Sequence, residues 1–395
     1  MDYQEISRKE LEAMGAFRSP WLRPAFNAVD REAFAPAQFW GYDTDSEGLH
    51  EVIDRDKDED AWRRAVWGTH RSLITQMDDG IMPEHGPARG DFTSSISALD
   101  IVFEKLNRLD AERGSRVLHI GTASGYDSAL LCELVGSDRL TTVEFDPALA
   151  SWGRANLERS GYAPATITGD GLEGHAPNAP YDRIIATAAV RDIPAAWRRQ
   201  AAAGALILTP YNTLFASGGL LKLAVLGGVA SGKFVGGASY MWVRSHRPNT
   251  DINPPGEPRK SASVIDPDEL FGGDWSSRFA LGLFLPDIAY AHRGQGESRQ
   301  VQLWDEAGTS VALVVYDEWW RPDAVVTYGP RDLWSELVGA YTAWRLEGQP
   351  HFERFGLTFT DDGQHLWLDE PTNVMRSSLA NDSLARGLGA APREK

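Results

Sequence analysis

RVLHIGTASGYDSALLCELVG, residues 116–136, decides the fold. Val117–Ile120 is a short apolar run, the mark of a buried strand, and apolar residues recur at helical spacing from Tyr126 onward. Between them GTASG is a tight turn. Such a turn lets a ligand approach the backbone closely, and the helix start behind it adds N–H donors and the positive end of a dipole. Reading downstream, TTVEF (141–145) is a second strand, 147–160 a helix and 165–167 a short strand before GDG. YDRIIAT (181–187) is a further buried strand, and a helix over 194–202 leads into the strand ALILTP. This alternation predicts right-handed parallel crossovers and an open, doubly wound α/β sheet. LLKLAVL, ASGKFVG and SYMWVR, within 220–243, read as a closing antiparallel hairpin.

Upstream, Ile96, Leu99, Val102, Phe103 and Leu106 predict an amphipathic helix over 95–108. MDDGIMPEHGPARGDF (77–92) reads as a lid loop, 61–77 as a helix and 20–40 as a helical entry. Residues 43–60 hold nine acidic and two basic residues, which predicts a solvated stretch. Beyond the sheet, Pro248, Pro254, Pro255 and Pro258 mark a linker. VQLWDEAGTSVALVVY then reads as a hairpin around Glu306, Ala307 and Gly308, 330–347 as a helix with Pro330 near its first turn, and RFGLTFTDDGQHLWLDEP as a hairpin turning at Asp362-Gly363. The expected division is an N-terminal helical and lid section (1–90), a ligand-binding α/β domain (91–247), a linker (248–263) and an α+β accessory domain (264–395).

Composition bounds the function. The chain has 395 residues, 42% hydrophobic and 24% charged, which is globular composition for two or three domains. A net charge of -17 repels phosphate backbones, so no nucleic-acid partner is expected. No apolar run reaches the ~20 residues of a membrane span, and no signal pattern opens the chain, so a cytoplasmic location is expected. One cysteine, Cys132, leaves no internal disulfide and no cysteine metal cluster, and no metal is expected. Seven of the fourteen tryptophans lie after residue 270, which points to core packing in the accessory domain.

Two elements sharpen the ligand. Glu144 ends the second strand, 23 residues after Gly121, where an acid meets ribose hydroxyls in dinucleotide folds. Asp170 lies in GDG after the third strand, where a carboxylate accepts an adenine amino group. Together they describe an adenosine site at the carboxyl ends of the strands. A nicotinamide cofactor fits less well, because Ala123 and Tyr126 stand where GxGxxG has glycines. No Walker lysine follows the turn. S-adenosylmethionine, leaving as S-adenosylhomocysteine, fits better.

With AFNAVDREAF, SSISALDIVFEKL, GDGLEG and PYDRIIATAA, these motifs make residues 20–247 resemble the protein-L-isoaspartate O-methyltransferases. The resemblance implies a Rossmann-like class I methyltransferase sheet. It places the active-site hydroxyl on Ser97, 24 residues before Gly121. It places the cofactor on Gly121, Thr122, Ala123, Ser124, Gly125, Tyr126, Glu144, Phe145, Asp170 and Gly171, and the substrate near His85, Ser95, Ile96 and His119. Three positions depart from the family pattern: Leu99 replaces a proline, His119 an acid and Ala123 the turn's middle glycine. With the added C-terminal length, the layout is similar to homologues that methylate an ordinary aspartate in a ribosomally made peptide, the ester passing on to aspartimide or isoaspartate. The expected partner is such a peptide, cyclised; the sequence is compatible with a monomer and does not fix the oligomeric state. Repair of L-isoaspartyl protein and a peptide-recruiting scaffold without turnover are the alternatives. For Ser97 the competing role is a helix N-cap, for Asp170 an Asp-Gly turn, and for His119 a satisfied core histidine.

Overall fold

The computed structural model describes residues 1–250, 252–253 and 256–375. Pro254 and Pro255 of the expected linker and residues 376–395 of the expected accessory domain lie outside the described residues. Packing groups the chain into two interleaved units. The first is Met1–Ala188, Ile193–Thr209 and Lys222–Ala230, and the second is Ala189–Asp192, Pro210–Leu221 and Ser231–Lys395.

The first unit opens with α1 (Tyr3–Ala13) and α2 (Leu22–Ala28). It continues through β1 (Gln38–Thr44), β2 (His50–Asp54), α3 (Glu59–Val66), β3 (Leu73–Met77), β4 (Phe92–Ile96) and α4 (Leu99–Arg108). The stretch expected to be helical and lid-like therefore holds a four-stranded antiparallel sheet, ordered β2-β1-β3-β4. Trp40, Ile74 and Met77 form its core, with Val52, Ile81, Ala88 and Phe92 packed against them. The acidic run 43–60 spans most of the β1–β2 hairpin, with its carboxylates turned largely to solvent. The expected helix over 61–77 ends at Val66, and 73–77 is a fully buried strand. The expected helix over 95–108 starts only at Leu99, because Phe92–Ile96 pairs with β3.

Then come β5 (Val117–Ile120), α5 (Tyr126–Val135), β6 (Leu140–Glu144), α6 (Pro147–Arg159), β7 (Ala165–Thr168), β8 (Tyr181–Ala186), α7 (Ala195–Gln200) and β9 (Ala201–Tyr211). The strands run in the order β9-β8-β5-β6-β7, every neighbouring pair parallel. This is the doubly wound sheet the alternation predicted. Its first strand lies centrally, so the carboxyl ends of β5, β6 and β7 stand side by side.

β10 (Gly219–Leu226) and β11 (Val229–Gly237) follow, turning at Gly227-Gly228. SYMWVR adds no strand. Trp242 makes only an isolated bridge to Ala189. In the second unit, β12 (Arg259–Ser261), α8 (Pro267–Phe271), α9 (Trp275–Gly282), β13 (Ile288–Arg293), β14 (Gln300–Asp305), β15 (Val311–Val315), β16 (Val325–Tyr328), α10 (Leu333–Leu346), β17 (Phe355–Thr360) and β18 (Gly363–Leu368) are in place. Five of these strands form an antiparallel sheet, β12-β16-β15-β14-β13. α10 packs on it through the buried Leu333, Trp334, Leu337, Ala340 and Trp344. Its cap is Asp332, which accepts from Ser335 N, so Pro330 precedes the helix. The last hairpin turns at Asp361-Asp362, one position earlier than expected, because Thr360 pairs with Gly363.

Candidate functional site

Each site element lies at a strand end of the first unit. The turn after β5 has Ala123 at φ +43° and Gly125 at φ +90°, both left-handed. A Cβ on Gly125 would meet Leu157 Cγ at 2.9 Å and Gly153 O at 3.0 Å, so α6 can lie against the turn only with glycine there. Ala123 stands in the same region with a side chain, at a cost of roughly 1–2 kcal/mol. Ala123→Gly is accordingly expected to stabilise the fold by about 0.5–1 kcal/mol, read as a raised denaturant midpoint. An unchanged or lowered midpoint would show that the turn carries no such strain.

Glu144 is buried at the end of β6. Its Oε2 accepts from Ala123 N at 2.9 Å and its Oε1 from Asp146 N at 3.1 Å. The carboxylate therefore braces the turn, and a carboxylate has about four acceptor sites in all, so ribose hydroxyls can share it. Phe145, next in sequence, is 50% exposed and offers an aromatic surface beside that acid. Asp170 makes the Asp-Gly turn considered above: its Oδ1 accepts from Leu172 N at 2.9 Å. Gly171 is buried, and its carbonyl accepts from Trp197 Nε1 at 2.7 Å. Thr122 and Ser124 face inward. Thr122 Oγ1 lies 2.7 Å from Thr142 Oγ1, and Ser124 Oγ accepts from Tyr126 N at 3.3 Å. The Tyr126 ring is buried behind the turn, so this residue reaches a ligand through its backbone only.

His119 is a core residue. Nδ1 lies 2.8 Å from Ser128 Oγ, and Nε2 lies 3.4 Å from Thr187 Oγ1. Burial, with Lys105 nearby, pushes its pKa down from 6.5 to about 3. The folded protein thus holds it neutral, while the unfolded chain takes up a proton below about pH 6.5. Its contribution is present above that pH and is lost as pH falls toward 3, by up to about 1.4 kcal/mol per pH unit. His119→Asn is expected to flatten this part of the stability–pH curve, and an unaltered acid limb would contradict the assignment.

Ser97 sits half-buried between β4 and α4. The N-cap of α4 is Ala98, which makes no side-chain cap bond, so the cap role does not fall to Ser97. The Ser97 hydroxyl has no hydrogen-bond partner among the described residues, whereas its carbonyl accepts from Arg31 Nη2 at 2.8 Å. Two backbone donors at the start of α4 are already used, Asp100 N by Thr69 O and Ile101 N by the Asp100 carboxylate. Ser95 and Ile96 belong to β4 and pair with Ile74 and Leu73. His85 is exposed, with Nδ1 2.9 Å from Met82 O.

Arg31, in the VDREAF stretch, was invisible as a site residue because a lone arginine carries no spacing signal. It is wholly buried. Nε donates to Val66 O at 2.8 Å, Nη2 holds Ser97 O, and the guanidinium lies 4.7 Å from the centre of the Tyr126 ring. Arg31 thus joins the Ser97 segment to the first residue of α5. Lys105 and Asp127 complete a buried group: Lys105 Nζ lies 3.9 Å from Asp127 Oδ2 and donates to Ala186 O at 3.3 Å. Burial lowers Lys105 to about 8 and raises Asp127. Among the described residues, Arg31 Nη1, Tyr126 Oη and Asp127 Oδ2 are buried without hydrogen-bond partners. Two cations and one carboxylate lie together here in a chain of net charge -17.

The parallel sheet, with a Gly-rich turn and two strand-end acids at its carboxyl edge, is that of a Rossmann-like class I methyltransferase. Residues 84–221 match the family model for protein-L-isoaspartate(D-aspartate) O-methyltransferase. The protein-L-isoaspartate O-methyltransferase of Thermococcus onnurineus is 36% identical over 177 residues, which cover 40% of this chain and 79% of that relative. The chain belongs to this family. The enzyme of the same name from Staphylothermus marinus is 40% identical over 132 residues, 31% of this chain. Of that relative's length the chain spans only 59%. A solved protein-L-isoaspartate O-methyltransferase shares the fold with a TM-score of 0.53 at 17% identity, over 93% of this chain and 100% of its own. Among the described residues no helix is long and apolar enough to cross a membrane.

Proposed function

We propose that this chain is an S-adenosylmethionine-dependent carboxyl O-methyltransferase acting on the free α-carboxylate of an L-isoaspartyl residue in a peptide or protein. The observation that carries the reading is the Arg31 bridge, which fixes the unengaged Ser97 hydroxyl segment against the helix start of the Gly-rich turn. The residues at the turn fit the cofactor: Glu144 for the ribose, Phe145 and Asp170 for the adenine, and the backbone of 121–126 and Gly171 for close approach. The bound cofactor supplies an electrophilic methyl group. The acceptor carboxylate, with a reference pKa of about 4, is ionised at neutral pH and needs no general base. It needs orientation and exclusion of water. Ser97 donates to one carboxylate oxygen and leaves the other to attack. Arg31 positions Ser97, and with Lys105 it keeps the local field favourable to an anion. The peptide nitrogen that follows can then attack the methyl ester and expel methanol, closing a five-membered imide with no further group from the protein.

An ordinary aspartate in a modified ribosomal peptide, cyclised or linear, is the second reading. Its warrants were Leu99, His119 and the C-terminal length. Leu99 and His119 are buried core positions, and a solved structure bearing the family name matches across most of the chain. Those placements and the relatives' names favour the isoaspartyl acceptor. The test is labelled-methyl transfer to an isoaspartyl peptide, its aspartyl twin and a cyclised precursor, read by mass spectrometry. Transfer to the isoaspartyl peptide is expected. Transfer only to the precursor reverses the order of the readings, and cofactor binding without any transfer supports a scaffold.

A further inference from the structure

A cavity of about 280 Å³ opens in the first unit, apart from the turn and the strand-end acids. Pro36, Met82, Pro83 and Trp152 give it apolar walls, and two acidic residues, Asp56 and Glu84, complete the lining. Both carboxylate residues are exposed, and neither carboxylate has an ion pair or hydrogen bond among the described residues. The acids nearby are treated differently: Asp54 is held by Gln38 at 2.7 Å and by Lys57 at 3.5 Å, and Asp60 by Arg64 at 2.8 Å. The volume falls just below the ~300–1,000 Å³ usual for small-molecule sites, which suits one long side chain better than a free metabolite.

An apolar sleeve ending in two carboxylates matches one kind of side chain, an aliphatic stem with a cationic head. The tryptophan wall adds an aromatic surface that attracts such a head. The cavity is also tied to the Ser97 segment. Thr75, which lines it, donates from Oγ1 to Ser94 Oγ at 2.9 Å, and Ser94 precedes Ser97 by three residues of β4 and its extension. At ~3.3 Å per residue that is ~10 Å. An extended peptide whose acceptor lies at Ser97 would bring a residue two to four positions away to the cavity.

We infer that the cavity lined by Asp56, Glu84 and Trp152 receives a lysine or arginine side chain of the acceptor peptide, two to four residues from the methylated carboxylate. The inference rests on the carboxyl methyltransferase reading and adds a substrate preference to it. It gives the net charge a use: long-range attraction of a basic peptide, with the methyl-accepting anion received beside the buried cations instead.

The test is calorimetric binding of isoaspartyl peptides that differ at one position, scanned from two to four residues on either side of the acceptor, with lysine, alanine or glutamate placed there. At one position lysine is expected to bind about tenfold tighter than glutamate at low salt. In the Asp56→Asn/Glu84→Gln double variant, with unfolding temperature checked, the ratio is expected to fall within about twofold. Equal affinities at every position, a preference that survives in the double variant, or no peptide binding at all would each overturn the inference. Labelled-methyl transfer is measured on the same peptides. Preference without transfer keeps this site and removes the methyltransferase reading, and transfer without preference does the opposite.

Discussion

On the proposed function, Ser97→Ala is expected to lower turnover on an isoaspartyl peptide by about 10²-fold and to leave the dissociation constant for S-adenosylmethionine within about twofold. The size follows from the work assigned to the hydroxyl. A single preorganised donor aimed at a reacting oxygen in a water-poor site is worth about 10²–10³ in rate. The separation of kcat from cofactor affinity follows from placement, because Ser97 lies between β4 and α4 while the residues proposed for the cofactor lie at the ends of β5, β6 and β7. Stability is expected to change by less than about 0.5 kcal/mol, since the cap of α4 is Ala98 and the hydroxyl holds no partner among the described residues. Ser97→Thr keeps a donor and is expected to retain most of the turnover. Unchanged turnover in Ser97→Ala, with transfer confirmed in the wild type, would remove the residue from the mechanism.

The α/β sheet was legible because its signals are local. Val117–Ile120 is buried throughout, its turn needs left-handed residues, and Glu144 and Asp170 fall at fixed offsets from it. The N-terminal sheet was not legible, because its strands are defined by partners distant in sequence. β3 reads as an extension of the helix before it until β1 and β4 take up its two edges. The acidic run around β2 reads as solvated coil, yet an edge strand and the hairpin turn leading into it, with solvent-facing carboxylates, carry the same composition. The site divides in the same way. Gly121, Glu144 and Ser97 are candidates that spacing and the family resemblance pick out in the sequence. Arg31, Lys105 and Asp127 acquire meaning only when the fold buries them together. His119 shows the reverse case, a motif position whose side chain the fold turns into a ring of hydroxyls.

Arg31→Met has the largest expected effect on the protein as a whole, a loss of about 3–5 kcal/mol of stability. Methionine fills much of the volume but leaves Val66 O and Ser97 O, both held by Arg31, without that donor, and it takes one cation from beside Asp127. Since a loss of that size can unfold the chain, Arg31→Lys is the more informative variant. It keeps the charge but loses the planar fork that serves two carbonyls at once. Arg31→Lys is expected to lower kcat about tenfold with cofactor affinity little changed, because the Ser97 segment is released while the turn after β5 keeps its Glu144 brace. A double-mutant cycle separates positioning from general support. If Arg31 acts through Ser97, adding Arg31→Lys to Ser97→Ala costs little further turnover, because the hydroxyl it would misplace is already gone. Full additivity of the two losses would show that Arg31 supports the fold without directing the acceptor, and the bridge between Ser97 and Tyr126 would then be structural only.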